Sequence, residues 1–139
     1  MTTPNAHPVE HINPEGLSKN PAFTQVVTVT GPAKTIYIGG QDAVDASGTI
    51  VGKGDLKAQT EKVFQNLQTA LEACGAGLEH VIKWNIYIVQ GQPLGPGFEV
   101  SQRVWGNRPN PPTITAMFVA GLANPDFLIE MDAIAIVPE

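Results

Sequence analysis

The stretch FLIEMDAIAI, Phe127 to Ile136, decides how this chain folds. In a strand, successive side chains point to opposite faces. Phe127, Ile129, Met131, Ala133 and Ala135 then make one wholly apolar face. Glu130 and Asp132 project together from the other. A strand of this kind covers a core on one side. On the other it meets water or lines a site.

Upstream lies the clearest helix. Asp55 can cap it, and Leu56, Val63, Phe64, Leu67, Ala70, Leu71 and Cys74 recur at three- and four-residue steps. Gly75 and Gly77 are expected to supply its left-handed stop. The stripe occupies one side only, so the helix must lie on a sheet. HVIKWNIYIV, His80 to Val89, reads as a strand, and so does TITAMFV, Thr113 to Val119. Between them Phe98 to Trp105 reads as a short helix with Phe98 and Trp105 inward. Near the start, QVVTVT (Gln25 to Thr30) and TIYIGG (Thr35 to Gly40) read as a hairpin across the turn-forming GPAK.

The order strand, strand, helix, strand, helix, strand, strand predicts an α+β fold: one mostly antiparallel sheet with two helices on one face. Residues 1–20 are polar and proline-rich, an expected extended lead-in, and residues 21–139 form the domain. The second sheet face has no helix left to cover it. Association of sheets between subunits is the expected cover.

The 139 residues suit one domain with a sizeable core. A net charge of −5, with only eight Lys and Arg, argues against phosphate-backbone binding, so no nucleic acid partner is expected. The single cysteine, Cys74, permits no internal disulfide and no cysteine-based metal cluster, and it reads as a small buried hydrophobe. The start MTTPNAHPVEH has neither the basic flank nor the apolar segment of a secretion signal, and no run reaches the length of a membrane span. A cytoplasmic protein without a membrane partner is expected.

Most motif matches fail on context. HPVEH, residues 7–11, fits the H-x-x-E-H zinc pattern, which needs a helix to bring both histidines to one side. Pro8, Val9 and Asn13-Pro14 oppose a helix, so no metal is expected. GKGD, residues 52–55, lacks phosphate-loop spacing, and none of three serines sits in a G-x-S-x-G elbow. His80 reads as an exposed residue at a strand start, and Trp84 and Trp105 read as core or interface. Glu130 and Asp132 remain.

Several segments, in order, resemble the RidA/YjgF family, also called L-PSP endoribonuclease-like. They are FTQVV (Phe23 to Val27), IYIGGQ (Ile36 to Gln41), DLKAQT (Asp55 to Thr60), FQNL (Phe64 to Leu67) and ACGAGLEHVIK (Ala73 to Lys83). VAGL (Val119 to Leu122) and IEMDAIA (Ile129 to Ala135) complete the set. The resemblance implies a chorismate-mutase-like α+β fold, assembled as a homotrimer with sheets inward. It implies a small-molecule site in each cleft between subunits. It implies hydrolysis of reactive imines and enamines to ketones with release of ammonia and no cofactor. An arginine then grips the substrate carboxylate, and a glutamate at the Glu130 position activates water.

The departures bear on the substrate. Counting back from VAGL, the arginine of the family's Pro-Ala-Arg-(Ser/Thr) segment is Ile114 here, and the cysteine or threonine two residues on is Ala116. The family tyrosine near the first strand is Phe23. The serine before Gly-Gln is Gly39, next to Gly40, and an asparagine on the second helix falls near Glu99. Only Glu130 is kept.

Each charge-assisted hydrogen bond from an arginine is worth about 1.5–3 kcal/mol, and isoleucine offers none. An ordinary 2-imino acid is therefore disfavoured unless Arg108, in the Pro-rich loop before Ile114, reaches in. An apolar cleft favours the neutral form of Glu130, the direction wanted in an acid/base. The expected activity is hydrolysis of an uncharged C=N substrate by Glu130, with Phe23, Ile114 and Ala116 shaping the pocket. The alternative is a non-catalytic, small-molecule-binding regulatory trimer. Ribonuclease activity is weakened by the acidic charge.

Overall fold

The computed structural model describes residues 8–139. Its strands are β1 (Val9–Ile12), β2 (Val26–Val29), β3 (Ala33–Gln41), β4 (Val81–Val89), β5 (Thr113–Val119) and β6 (Ile129–Pro138). Helix α1 (Leu56–Ala73) precedes β4, and α2 (Gly95–Trp105) joins β4 to β5. The main sheet runs β3-β6-β4-β5. Strand β6 is antiparallel to both β3 and β4, while β5 is parallel to β4, as expected across a helical crossover. The fold is α+β, as the element order implies.

Alternation places β6 as read from its sequence. Ile129, Met131, Ala133 and Ala135 are buried, and Glu130 and Asp132 lie half-buried on the opposite face. Partnering positions carry the same sidedness across the sheet. Trp84 and Ile88 on β4, and Ile36 and Ile38 on β3, share the buried face. Helix α1 lays Leu56, Val63, Phe64, Leu67 and Leu71 on this face. Asp55 caps it by accepting from the Ala58 N–H at 3.1 Å. At its other end Gly75 takes φ +73°, the left-handed stop that a side chain would disfavour. Gly77, expected to share that role, is extended at φ −136°.

Two further expectations are corrected. QVVTVT and TIYIGG do not form a hairpin. β2 pairs with β1, from Val9 opposite Val29 to Ile12 opposite Val26, whereas β3 pairs with β6. The reason is burial. Ile36 and Ile38 need the apolar partners Ala135 and Ala133 under α1, and β2 has only half-exposed valines to offer. The strand β1 itself was hidden in the proline-rich lead-in. Second, Phe98 faces the sheet but is not buried. Helix α2 starts at Gly95 and its buried anchor is Val100, whereas Phe98 faces the open cavity over β4 and β5 and is 52% exposed. Trp105 does pack inward, edge-on to Trp84 with centroids 5.9 Å apart.

His11 lies in β1, extended and not helical, and His7 falls outside the described residues. No helix among the described residues is long and apolar enough to cross a membrane.

Candidate functional site

The sheet separates the sequence-selected residues into two groups. Ile114 and Ala116 on β5 pair with Trp84 and Ile86 on β4, and so face α2. A cavity of about 520 Å³ lies there, walled by Phe23, Trp84, Phe98, Trp105, Ile114 and Ala116. A smaller apolar groove of about 380 Å³ continues along Ile86, Ile88 and Met131. Asn20, Ser101 and Gln102 are the polar side chains at the larger cavity, and no charged residue among the described ones lines it. A carboxylate placed inside would lose its water without gaining a partner.

Arg108 does not reach this cavity. Its Nη1 donates to the carbonyls of Val104 and Trp105, both at 2.9 Å, and its guanidinium sits 5.9 Å from the Trp105 ring centroid. The Trp105 Nε1–H returns a bond to the Arg108 carbonyl at 2.8 Å. The arginine thus closes the C-terminal end of α2, where a cation complements the helix dipole. Glu99 is exposed on α2 and lines neither space.

Glu130 belongs to the second group. It is flanked in β6 by Ile129 and Met131, which face α2, so its carboxylate projects from the opposite face. Beside it β3 breaks register between Ile38 and Gln41, a bulge that contains Gly39 and Gly40. Gly40 is there for space. A methyl group on it would stand 2.6 Å from Glu130 Oε2, whereas one on Gly39 would meet nothing within 4 Å. The loop leaving the bulge brings in Asp42, held from behind by α1. Asn66 Nδ2 donates to the carbonyls of Asp42 and Val44 at 2.9 and 3.0 Å.

Asp42 abuts Glu130, and no cation among the described residues pairs with either. Burial, the hydrogen bond to Glu130 and the Glu130 charge together raise its carboxyl from 3.8 to about 7. Asp42 Oδ1 is buried without a hydrogen-bond partner among the described residues. Further along the same face, Asp132 is fully engaged. Asn85 Nδ2 donates to its Oδ1 at 2.8 Å and the Tyr87 hydroxyl to its Oδ2 at 2.9 Å. Asp132 is therefore structural in its contacts, and Glu130 is the open acid. The sequence reading did not single out Asp42. The signal was present: an acid directly after a Gly-Gly-Gln strand end that pairs beside Glu130.

The endoribonuclease L-PSP family matches residues 17–137. The chain belongs to this RidA/YjgF family. A RutC family protein of Pyrococcus abyssi is 35% identical over 100 residues, 72% of this chain and 76% of that protein. Protein DfrA of Myxococcus xanthus is 29% identical over 114 residues, 82% of this chain and 84% of that one. Among solved structures, a conserved Rid-family protein from Yersinia pestis aligns with TM-score 0.82 and 30% identity, covering 94% of this chain and all of that one. RidA from an Antarctic Psychrobacter aligns with TM-score 0.66 and 29% identity, covering 82% and 87%. This RidA/YjgF family member thus has the family's α+β fold. Where the resemblance places an arginine, it has an uncharged cavity wall.

Proposed function

We propose that this chain is a hydrolase of uncharged imines or enamines, working in clefts between copies of itself as a cytoplasmic homotrimer. One observation carries the reading. Glu130 and the cavity that holds Phe23, Ile114 and Ala116 lie on opposite faces of one sheet. A single copy cannot bring both to one ligand, but the cavity of one copy and the acid face of the next can. The uncovered face also carries Tyr37, 77% exposed, and Met117, 46% exposed, apolar area suited to burial against a second sheet.

In this reading the cavity holds the organic part of an imine R₂C=NH, and Glu130 of the neighbouring copy faces its carbon. Glu130 takes a proton from water as the oxygen bonds to carbon, and the nitrogen gains a proton to give R₂C(OH)NH₂. Loss of the hydroxyl proton and protonation of nitrogen then expel ammonia and leave R₂C=O. The balance is R₂C=NH plus water to ketone plus ammonia. The uncharged lining rejects substrates that carry their own carboxylate. A ribonuclease reading finds no support in a cavity without a cation and a chain of eight scattered basic residues.

The test is complementation. Ammonia release from benzophenone imine is measured above the uncatalysed rate. Glu130→Gln and Ala116→Phe are expected to be inactive alone. Mixed by co-refolding, they should regain about a quarter of the wild-type sites, because cavity and acid then meet intact across some interfaces. Binding of the imine by wild type without turnover would establish the regulatory, non-catalytic alternative. Preferred turnover of 2-iminopropanoate would overturn the uncharged-substrate reading.

A further inference from the structure

We propose that Asp42 is a proton-holding partner of Glu130: the two carboxyl groups share a single proton, and Glu130 meets its ligand as half of a monoanionic pair. This rests on the reading of Glu130 as the reacting acid. Three independent features build the pair. The bulge in β3 leaves Gly40 without a side chain where Glu130 Oε2 needs the room. Asn66 fixes the Asp42 backbone from α1. The Asp42 side chain, hydrogen-bonded to Glu130, has its Oδ1 atom buried without a partner among the described residues.

The charges around the pair do not neutralise it. The ion pairs among the described residues join Lys19 to Glu15, Lys53 to Asp126, His80 to Glu79 and Arg103 to Glu61. None reaches Asp42 or Glu130. From α1 the facing groups are the neutral Asn66 and, one turn before it, Lys62, whose charge acts on Asp45. On the sheet face the titratable groups are Tyr87 and Asp132, bonded to each other, and Lys83, which donates to Thr115 at 2.7 Å. Two carboxylates in such a place cannot both ionise cheaply, so a proton stays between them at neutral pH. Asp42 as a neutral acid donates to the Glu130 carboxylate, which leaves Glu130 anionic and held in one orientation. Glu130 then takes the proton from water and returns it to nitrogen, while the Asp42 proton stays in place. Above the upper ionisation, near 7, the pair carries two charges, loses the hydrogen bond and repels.

The experiment follows kcat/KM for benzophenone imine from about pH 5 to about pH 9, with ¹³C-carboxyl NMR of labelled aspartate alongside. In wild type the rate should fall about tenfold per unit above the pair's upper ionisation, and one aspartate should titrate at that pH. Asp42→Asn keeps a donor but cannot ionise. It should abolish that alkaline fall and remove the NMR titration. Glu130→Gln should move the aspartate titration down and lower the rate at least about 100-fold at every pH. An unchanged alkaline limb in Asp42→Asn, or no aspartate titrating near neutrality, overturns the shared proton while leaving the Glu130 reading intact. Full activity in Glu130→Gln overturns both. A wild type that turns over no imine removes the catalytic role, whatever the NMR shows.

Discussion

Leu128 donates its backbone N–H to Gln59 Oε1 at 2.9 Å, two residues before Glu130. The other end of the same side chain donates to the carbonyls of Gly52 at 3.1 Å and Asp126 at 2.9 Å. One completely buried amide on α1 therefore ties the loop before that helix to the segment that leads into β6. Gln59→Leu should leave three partly buried backbone groups without partners. Each such group costs about 1–3 kcal/mol, and partial access of water lowers the sum, so a loss of about 3 kcal/mol is expected in urea unfolding. A loss under about 1 kcal/mol would show that the loops hold themselves. The start of β6 would loosen with them, so kcat should fall together with stability.

The Asp42–Glu130 pair predicts how stability depends on pH. The folded-state titration of Asp42 is raised, so between about 4 and about 7 the folded protein holds a proton that the unfolded chain has released. Stability from this group is present at low pH and falls as pH rises through that window. Asp42→Asn removes the cost. At pH 8 it should be more stable than wild type by about 1–2 kcal/mol, a value discounted for partial solvent screening, and near pH 4 the two should converge. Chemical unfolding at both pH values checks the sign. Parallel curves for the two proteins would count against any upward displacement of Asp42.

Much of the fold was legible because its signals are periodic. The two-residue alternation of β6 and β3, and the three- and four-residue steps of α1, report burial directly. The two-strand sheet was not legible. VEHI is four residues long, half polar and set among prolines, and the partner of β2 is fixed by which strands need α1 as cover. Phe98 failed for another reason. Phe98 lies on the same side of α2 as Trp105, seven residues on, but that side opens onto a cavity at Phe98, so the ring stays half exposed. The place of Glu130 on the open sheet face was legible through alternation. Asp42 was not, because its importance arises from a bulge and a cross-strand neighbour. The burial of Gln59 and Thr60 within an apolar stripe was also hidden, since each depends on backbone groups remote in sequence or a turn away.

Specificity should turn on Ile114. Its side chain is half-buried at the wall of a cavity that no charged residue among the described ones lines, and Arg108 does not reach it. Ile114→Arg puts a guanidinium at that wall. The ratio of kcat/KM for 2-iminopropanoate over that for benzophenone imine should rise at least about tenfold, the effect of one added charge-assisted contact. Ile114→Met controls for size and should leave the ratio unchanged. If the arginine variant folds and the ratio does not move, the carboxylate of a bound ligand does not sit beside position 114.

Gly39 and Gly40 offer a matched pair within one bulge. Neither has a positive φ, so alanine is tolerated by the backbone at both. A methyl group on Gly40 would fall 2.6 Å from Glu130 Oε2 and 2.8 Å from its carboxyl carbon, closer than real contacts allow. The flexible end of Glu130 can swing away at little cost to the fold, but it then leaves Asp42 and the position from which it would meet a ligand. Gly40→Ala should therefore change the Tm by less than about 3 °C while lowering kcat at least about tenfold. The near-neutral titration of Asp42 should move down at the same time. Gly39→Ala meets nothing within the chain and should leave that titration where it is. If Gly40→Ala keeps full activity, the observed orientation of Glu130 is not the one that reacts. If Gly39→Ala alone loses activity with the titration unmoved, the loss lies in a contact with the neighbouring copy across the open face.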